Sequence, residues 1–232
     1  MEIVSFGDTC LRLRGREGVV AVDAFPRIVG PTGRGMTADI VTFSHIDGQS
    51  TLGLGSGTAN GKGKRKGTAR PDGHVIPTSL EPAFVLDAPG EYEVHQVLIT
   101  GVRTFRDEQQ GAERGNNTCF VFELDGLHVA HLGDLGHVLS DDEVGEVGTV
   151  DIVCVPIGGS LHAARAAEVV TQLGANVVVP MPLDSAAEPD EMARFLHEMS
   201  VQHSDPVPKL ALTHSSLPTE TTVVLLEARG RT

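Results

Sequence analysis

The order of apolar runs and helical patterns along the chain constrains its fold more than any other feature. Short apolar runs bounded by Gly, Pro or Asp dominate the first two thirds, whereas strand and helix patterns alternate in the remainder. This order predicts a layered α/β sandwich rather than a parallel doubly wound sheet. The predicted strands are residues 3–6, 10–14, 19–23, 39–43, 84–87, 151–156, 176–180, 209–213 and 222–227, and the predicted helices are residues 161–173 and 189–200.

The clearest local element is a hairpin near the middle of the chain. Two apolar runs, residues 117–124 and 127–132, flank the dipeptide Asp125-Gly126. Asp-Gly between two apolar runs favours a tight two-residue turn. The sequence therefore predicts two adjacent antiparallel strands here.

Composition sets the class of protein. A length of 232 residues and a hydrophobic content of 40% predict one compact domain over residues 1–232. A formal net charge of −13 argues against general nucleic-acid binding, which needs clustered Lys and Arg. The three cysteines, Cys10, Cys119 and Cys154, form no CxxC pair, which favours reduced thiols and a cytoplasmic location. No apolar stretch reaches the roughly 20 residues of a membrane span, and no leader pattern is found, so neither export nor anchoring is expected.

A Gly-rich and basic segment at about residues 53–73 interrupts the strand pattern. It predicts a flexible solvated insertion. A phosphate-cradling role is less favoured, because the glycine spacing departs from the P-loop pattern and Gly61-Lys62 is followed by Gly63. A docking loop for an acidic partner or an anionic ligand is the other interpretation. Its candidate binding residues are Lys62, Lys64, Arg65 and Lys66.

Residues 44–50, with the sequence SHIDGQS, follow the apolar run at 39–43 and resemble the HxHxDH signature of the metallo-β-lactamase superfamily. Other blocks are similar to those of the branch related to ascorbate-6-phosphate lactonase, in the same order and spacing. The resemblance implies a four-layer αββα sandwich of the metallo-β-lactamase type, with a metal site at the sheet edges. The similar blocks are residues 7–10, 22–24, 87–94, 114–118, 131–137, 155–159 and 178–181.

The same resemblance implies that most metal ligands are missing. His45 matches the first His of the signature and Asp134 matches the carboxylate that bridges two metals. Arg106 and Pro182 stand where the family carries further His ligands. The remaining signature positions are held by Asp47, Gln49 and Ser50.

A hydrolytic zinc centre needs about three protein ligands and an open position for water. The losses therefore predict a degenerate site with no metal cofactor, in which Arg106 forms an ion pair with Asp134 or a neighbouring carboxylate. The alternative is a rearranged site for a single zinc, manganese or iron ion with mixed nitrogen and oxygen ligands. Its candidate ligands are His45, Asp134, Asp8, Asp47 and His162.

Three functions follow from these residues. The first is a binding, scaffolding or regulatory protein that has lost hydrolysis and recognises a protein partner or a small anionic ligand. The second is a metal-dependent hydrolase of a small phosphorylated or lactone-like substrate, with Asp134 and His45 as its catalytic residues. The third is a ligand pocket in which Arg106 and the basic insertion replace the positive charge of the metals. The resemblance also leads us to expect a homo-oligomer.

Overall fold

Two large β-sheets, a small two-stranded sheet and four α-helices make up the described part of the structure, a computed structural model that describes residues 1–46, 68–69, 75–183, 190–202 and 204–230. The strands are β1 (Glu2–Gly7), β2 (Cys10–Arg14), β3 (Val19–Val22), β4 (Ile40–Thr42), β5 (Thr68–Ala69), β6 (Val75–Ile76), β7 (Phe84–Leu86), β8 (Gly90–Val94), β9 (Val97–Phe105), β10 (Asn116–Leu124), β11 (Leu127–His131), β12 (Ile152–Ile157), β13 (Val177–Pro182), β14 (Leu210–Ala211) and β15 (Thr222–Val223). The helices are α1 (Pro26–Val29), α2 (Asp141–Val147), α3 (Ala163–Leu173) and α4 (Glu191–Glu198), and short 3-10 turns occur at Gly33–Gly35, Thr78–Leu80 and His214–Ser216.

The strand order explains how distant segments meet. The first large sheet has the order β14-β1-β2-β3-β4-β7, and the second has the order β15-β13-β12-β11-β10-β9-β8. Strands β5 and β6 form a separate two-stranded antiparallel sheet. Strands β3 and β4 are parallel, as are β11, β12 and β13, so the residues that follow each group leave the sheet at one edge. A backbone hydrogen bond of 2.7 Å from Thr118 N to Ser44 O joins the two sheets near this edge.

Three apolar clusters separate the layers. The central cluster takes side chains from both sheets, including Leu13 and Ile40 from the first and Phe122 and Ile152 from the second. A second cluster packs helices α2, α3 and α4 on the outer face of the second sheet, with Phe195 fully buried. The third packs α1 and its neighbours on the outer face of the first sheet. Helix, sheet, sheet and helix therefore follow one another, and the predicted four-layer sandwich is confirmed.

The local predictions differ in accuracy. The hairpin is confirmed: Asp125 and Gly126 have φ angles of 54° and 71° between β10 and β11, and Leu124 pairs with Leu127. The last two strands are shorter than the sequence predicts, at two residues each. Strands β8 and β9 and helix α2 were not predicted. Most of the basic insertion lies outside the described residues.

Candidate functional site

Asp23, which directly follows β3, is a buried acidic residue that accepts hydrogen bonds at the base of the candidate site. Asp23 has a φ of 50°, a left-handed conformation that Asp tolerates better than most residues, and its side chain is fully buried. Asp23 Oδ1 accepts a hydrogen bond of 2.7 Å from Ser44 N, and Asp23 Oδ2 accepts one of 2.6 Å from Ser44 Oγ. Burial raises the pKa of Asp23, an effect that the hydrogen bonds from Ser44 oppose.

His131, the last residue of β11, lies at the base of the site as well. Its Nε2 lies 2.8 Å from the carbonyl oxygen of Thr9, and its Nδ1 accepts a hydrogen bond of 3.2 Å from Gly133 N. A carbonyl can only accept and an amide can only donate, so these partners require the neutral ring with its proton on Nε2. Burial lowers the pKa of His131, which also favours the neutral ring. Asp23, Ser44 and His131 together are called the inner polar layer below.

His45 lies directly above the inner polar layer and is buried. Its Nδ1 is 2.8 Å from Ser44 Oγ, and its ring packs against Phe25 with 4.9 Å between the ring centroids. The hydroxyl proton of Ser44 is donated to Asp23, so the contact with His45 is a hydrogen bond when Nδ1 carries a proton. The inner polar layer thus orients the imidazole that the resemblance identified as the first ligand.

Two arginines converge on Asp134. Arg106 Nε and Nη2 lie 2.7 and 2.6 Å from Asp134 Oδ2, and Arg114 Nη2 lies 3.2 Å from the same oxygen. Arg106 also donates to Arg114 O at 3.1 Å, and Arg114 donates to Ser160 Oγ at 2.6 Å. The ion pair between Arg106 and Asp134 predicted from the sequence is therefore confirmed.

Asp8 forms a second ion pair in the same cavity. It lies in the β1–β2 turn with a φ of 52°, and its Oδ2 pairs with Arg27 Nη1. Asp8 was a candidate metal ligand, but in the structure its carboxylate faces a guanidinium. The cavity holds about 190 Å³ and is lined by Asp8, Arg27, His45, Arg106, Arg114, Asp134, Gly159 and Leu183. Arg27, Arg106 and Arg114 with their partners Asp8 and Asp134 are called the guanidinium layer below.

The segment between β9 and β10 holds Arg106 and Arg114 in place. The carboxylate of Asp107 accepts hydrogen bonds of 2.6 to 3.1 Å from four backbone N–H groups, those of Gln109, Gly111, Glu113 and Arg114. Burial opposes the charge on Asp107, but the four N–H donors together hold its pKa below the usual value. Gly136 packs so closely on Arg106 O that a Cβ there would lie 2.1 Å from it. The backbone of Arg106 is therefore fixed from both sides.

These residues do not fit the metal centre that the fold family implies. Within the described ranges, no three His, Cys, Asp or Glu side chains come together in a group that could hold a metal ion. Asp134 Oδ2 faces guanidinium donors, which repel a cation at short range. Pro182 has no side-chain ligand atom, and the side chain that lines the cavity beside it is that of Leu183.

The other predicted site residues lie elsewhere or outside the described ranges. His162 is the N-cap residue of α3, more than half exposed, with Nδ1 3.7 Å from Glu191 Oε2. It lines a separate open cavity of about 710 Å³ with Arg194 and His197, so the structure does not bring it to His45 and Asp134. Outside the described residues lie Asp47, Gln49, Ser50, Lys62, Lys64, Arg65 and Lys66.

Sequence reasoning missed two arginines of the guanidinium layer. Arg114 begins the block at residues 114–118 that carried part of the resemblance, but that block was used only to assign the fold. Its position immediately before β10 was a signal that it lies at the sheet edge. Arg27 follows β3 within α1, and no spacing in the sequence indicates its contact with Asp8.

The chain belongs to the β-lactamase superfamily, because a family model described as the beta-lactamase superfamily domain matches residues 2–182. A solved structure from Thermotoga maritima, a candidate Zn-dependent hydrolase of the metallo-β-lactamase superfamily, is 31% identical, with a TM-score of 0.70. That comparison covers 97% of this chain and 98% of the other. A metal-dependent hydrolase from Parabacteroides distasonis, also a candidate assignment, is 14% identical with a TM-score of 0.59 over 97% and 93% of the chains, which shows the fold alone.

Two curated relatives match over shorter stretches. A metal-dependent hydrolase from Thermococcus onnurineus is 34% identical over 116 residues, or 46% of this chain and 51% of the relative. Another from Hyperthermus butylicus is 31% identical over 96 residues, or 39% of this chain and 42% of the relative. The chain thus spans about half the length of these curated relatives. Among the helices in the described ranges, none is long and apolar enough to cross a bilayer.

Proposed function

We propose that this chain is a metallo-β-lactamase-fold protein that does not hydrolyse substrates through metal ions and acts instead as a binding, scaffolding or regulatory homologue. The observation that carries the proposal is the pair of guanidinium groups on Asp134 Oδ2. In the family that the sequence resembles, the carboxylate at the position of Asp134 bridges two cations. A carboxylate that neutralises arginine is a poor cation ligand, because the fixed charges of Arg106 and Arg114 oppose any dication beside it.

The burial of the site supports this proposal. Asp134 has a side-chain exposure of 7%, and Arg106 has one of 20%. At this depth an uncompensated carboxylate would be costly, so a group of opposite charge is needed whether or not the protein is an enzyme. The arginines supply that charge permanently, since guanidinium does not titrate in proteins. The negative charge of Asp134 is therefore compensated without a bound cation.

The test is the metal content of protein purified without added metal. We expect well under one equivalent of zinc, iron or manganese, and a melting temperature that chelator leaves unchanged. A control is the variant Arg106→His/Arg114→Gln, which removes both guanidinium groups and adds an imidazole near His45 and Asp134. We expect this variant to bind zinc at least about tenfold more tightly than the wild type. A stoichiometric metal that raises the melting temperature of the wild type would overturn the proposal.

The second candidate is a hydrolase of a small phosphorylated or lactone-like substrate with a single-metal site. Two observations favour it. The relatives above are described as metal-dependent hydrolases, and Asp134 Oδ1 is buried with no hydrogen-bond partner among the described residues. Such a site would need Asp47 or another residue outside those ranges as a further ligand. The same metal analysis separates the two candidates, because this one requires about one bound cation per chain.

A further inference from the structure

A cleft of about 430 Å³ opens beside the guanidinium layer, between the end of β4 and strands β9 and β10. We propose that this cleft binds a small organic carboxylate with an apolar body. The headgroup would contact Arg103, Arg106 and Arg114, and the body would lie against Ile46, Ala88 and Pro89. The inference rests on the proposed non-hydrolytic function and adds the chemical class of the ligand. The volume is within the range of about 300–1,000 Å³ that is usual for small-molecule pockets.

The arginines have N–H donors left for a ligand. Each guanidinium carries five N–H groups. Arg106 directs three nitrogens at Asp134 and at Arg114 O, and Arg114 directs two nitrogens at Asp134 and Ser160. Arg103 is exposed on β9, and no ion pair involving it occurs among the described residues. A planar carboxylate can accept two parallel N–H bonds from one guanidinium, so the remaining donors suit this headgroup.

The charge balance selects a singly charged ligand. Three guanidinium groups and the carboxylate of Asp87 line the cleft, and Asp134 accepts hydrogen bonds from Arg106 and Arg114 in the adjoining cavity. These five groups leave one net positive charge, which a carboxylate neutralises. A phosphate monoester carries roughly 1.5 to 2 negative charges at neutral pH and would overcompensate. The chain as a whole has a formal net charge of −13, which disfavours such an excess of negative charge.

Other lining residues of the cleft are apolar and favour a ligand with an apolar body. Ile46 is 51% exposed, which is unusual for so large an aliphatic side chain, and it borders the cleft. Ala88 and Pro89 lie exposed in the connection between β7 and β8 and line the same space. A ligand that covers these side chains removes apolar surface from water, which favours binding without further polar contacts. Acetate, which has no such body, lacks this contribution.

The test is a calorimetric titration at low salt with hexanoate, acetate, hexanamide and hexyl phosphate, using the full chain without added metal. We expect hexanoate to bind at least about tenfold more tightly than acetate or hexanamide, and more tightly than hexyl phosphate. Tighter binding of hexyl phosphate would overturn the carboxylate assignment. Equal binding of hexanoate and hexanamide would show that the arginines do not recognise charge.

Variants locate the site. Arg103→Gln should weaken hexanoate at least about tenfold, and Ile46→Ser should reduce the preference for hexanoate over acetate. The matched control is Arg14→Gln, an exposed arginine at the end of β2 remote from the Asp8 turn, which should leave binding unchanged. If none of the ligands binds while metal is absent, this inference fails and the non-hydrolytic function stands. If metal is stoichiometric and hexanoate binding disappears with chelator, both fail.

Discussion

The inner polar layer and the guanidinium layer lie next to each other, yet they are stabilised by different interactions. The inner layer is fully buried or nearly so: its carboxylate is hydrogen-bonded to its hydroxyl, and its neutral imidazole is hydrogen-bonded to the backbone. The guanidinium layer is partly exposed and is held by ion pairs between fixed charges. The first orients backbone and side chains at the strand ends. The second compensates the carboxylates that those strands present.

Under the proposed function, this difference explains why one part of the site is kept and the other is replaced. Asp23 and Ser44 link the ends of β3 and β4, and His131 links the end of β11 to the β1–β2 turn at Thr9. None of these hydrogen bonds involves a metal ligand position, so loss of metal would not remove the need for them. Residues in direct reach of the cations have no such second role. In this chain they are replaced at Arg106 and Pro182, where the resemblance expects histidines. The proposed function therefore implies that the inner polar layer is kept for stability and not for metal chemistry.

The largest expected effect comes from breaking the inner polar layer with Asp23→Ala. The change leaves Ser44 N–H and Oγ without their acceptor in a buried place and puts alanine at a positive φ. We expect the free energy of unfolding, measured by urea denaturation, to fall by about 3 kcal/mol. Asp23→Asn is the control, since asparagine tolerates this φ and keeps one acceptor, and it should cost less. A loss below about 1 kcal/mol for Asp23→Ala would contradict the structural role of the layer.

The next effect concerns the guanidinium layer and is smaller, because Arg114 stays beside Asp134 when Arg106 is removed. We expect Arg106→Met to lower the free energy of unfolding by about 1–2 kcal/mol. Asp134→Asn should remove most of the effect, so a double-mutant cycle should give a coupling of similar size.

The matched control for this cycle is Arg16→Met. Arg16 pairs with Asp125 at 2.7 Å, but its side chain is 82% exposed, so its removal should lower the free energy of unfolding less than the removal of Arg106 does. Equal costs for Arg16 and Arg106 would mean that Asp134 gains little from its guanidinium partners. The different effects of substitutions in the two layers on the free energy of unfolding would then be explained by burial alone.

Sequence reasoning predicted the fold better than its details. The Asp125-Gly126 turn was predictable because only a few residue types favour its backbone angles, and the apolar strand patterns were sufficient to place most of both sheets. Strand β9 was missed because Gly101 and Arg103 interrupt its apolar pattern. Gly101 faces Ala88 O, which would lie 3.0 Å from a Cβ there. The need for glycine at position 101 comes from tertiary packing, so the local sequence does not reveal it.

Helix α2 was missed although a signal existed. Ser140 and Glu143 form a capping box in the structure, and the spacing S-x-x-E is readable in the sequence. The acidic first turn and Gly145 obscured it, since neither suggests an apolar helix face. In the site, the contact of Arg106 with Asp134 could be predicted because both positions were fixed by resemblance. The contact of Asp8 with Arg27 depends on how α1 packs beside the β1–β2 turn, which the sequence does not specify.

A pH titration separates the layers further, since the arginines do not titrate and His131 does. The pKa of His131 is lowered in the folded protein, so its contribution to stability is complete above the unfolded value of about 6.5 and is lost as pH falls toward the folded pKa. We expect the free energy of unfolding to fall by about 1 kcal/mol from this group between pH 7.5 and 5.5.

The measurement compares urea denaturation of the wild type and His131→Gln at both pH values. The pKa of Asp23 is raised, so its own contribution has the opposite sign and is lost as pH rises through its folded pKa. The difference between the two proteins isolates His131 from this opposing effect. An identical pH dependence in the variant would show that His131 is not held neutral by its place in the fold.

The smallest effect on stability is expected from the basic insertion, which belongs to neither layer. Lys62, Lys64, Arg65 and Lys66 concentrate positive charge on a chain of net charge −13, so the sequence predicts a local, salt-sensitive site for acidic partners. Replacing all four with Ser should abolish binding of a poly-glutamate peptide at low salt while changing the free energy of unfolding by less than about 0.5 kcal/mol. Both proteins are titrated at low and moderate salt. Equal binding would leave the segment as a linker, and a large loss of stability would mean that these residues pack on the two sheets and support the layers after all.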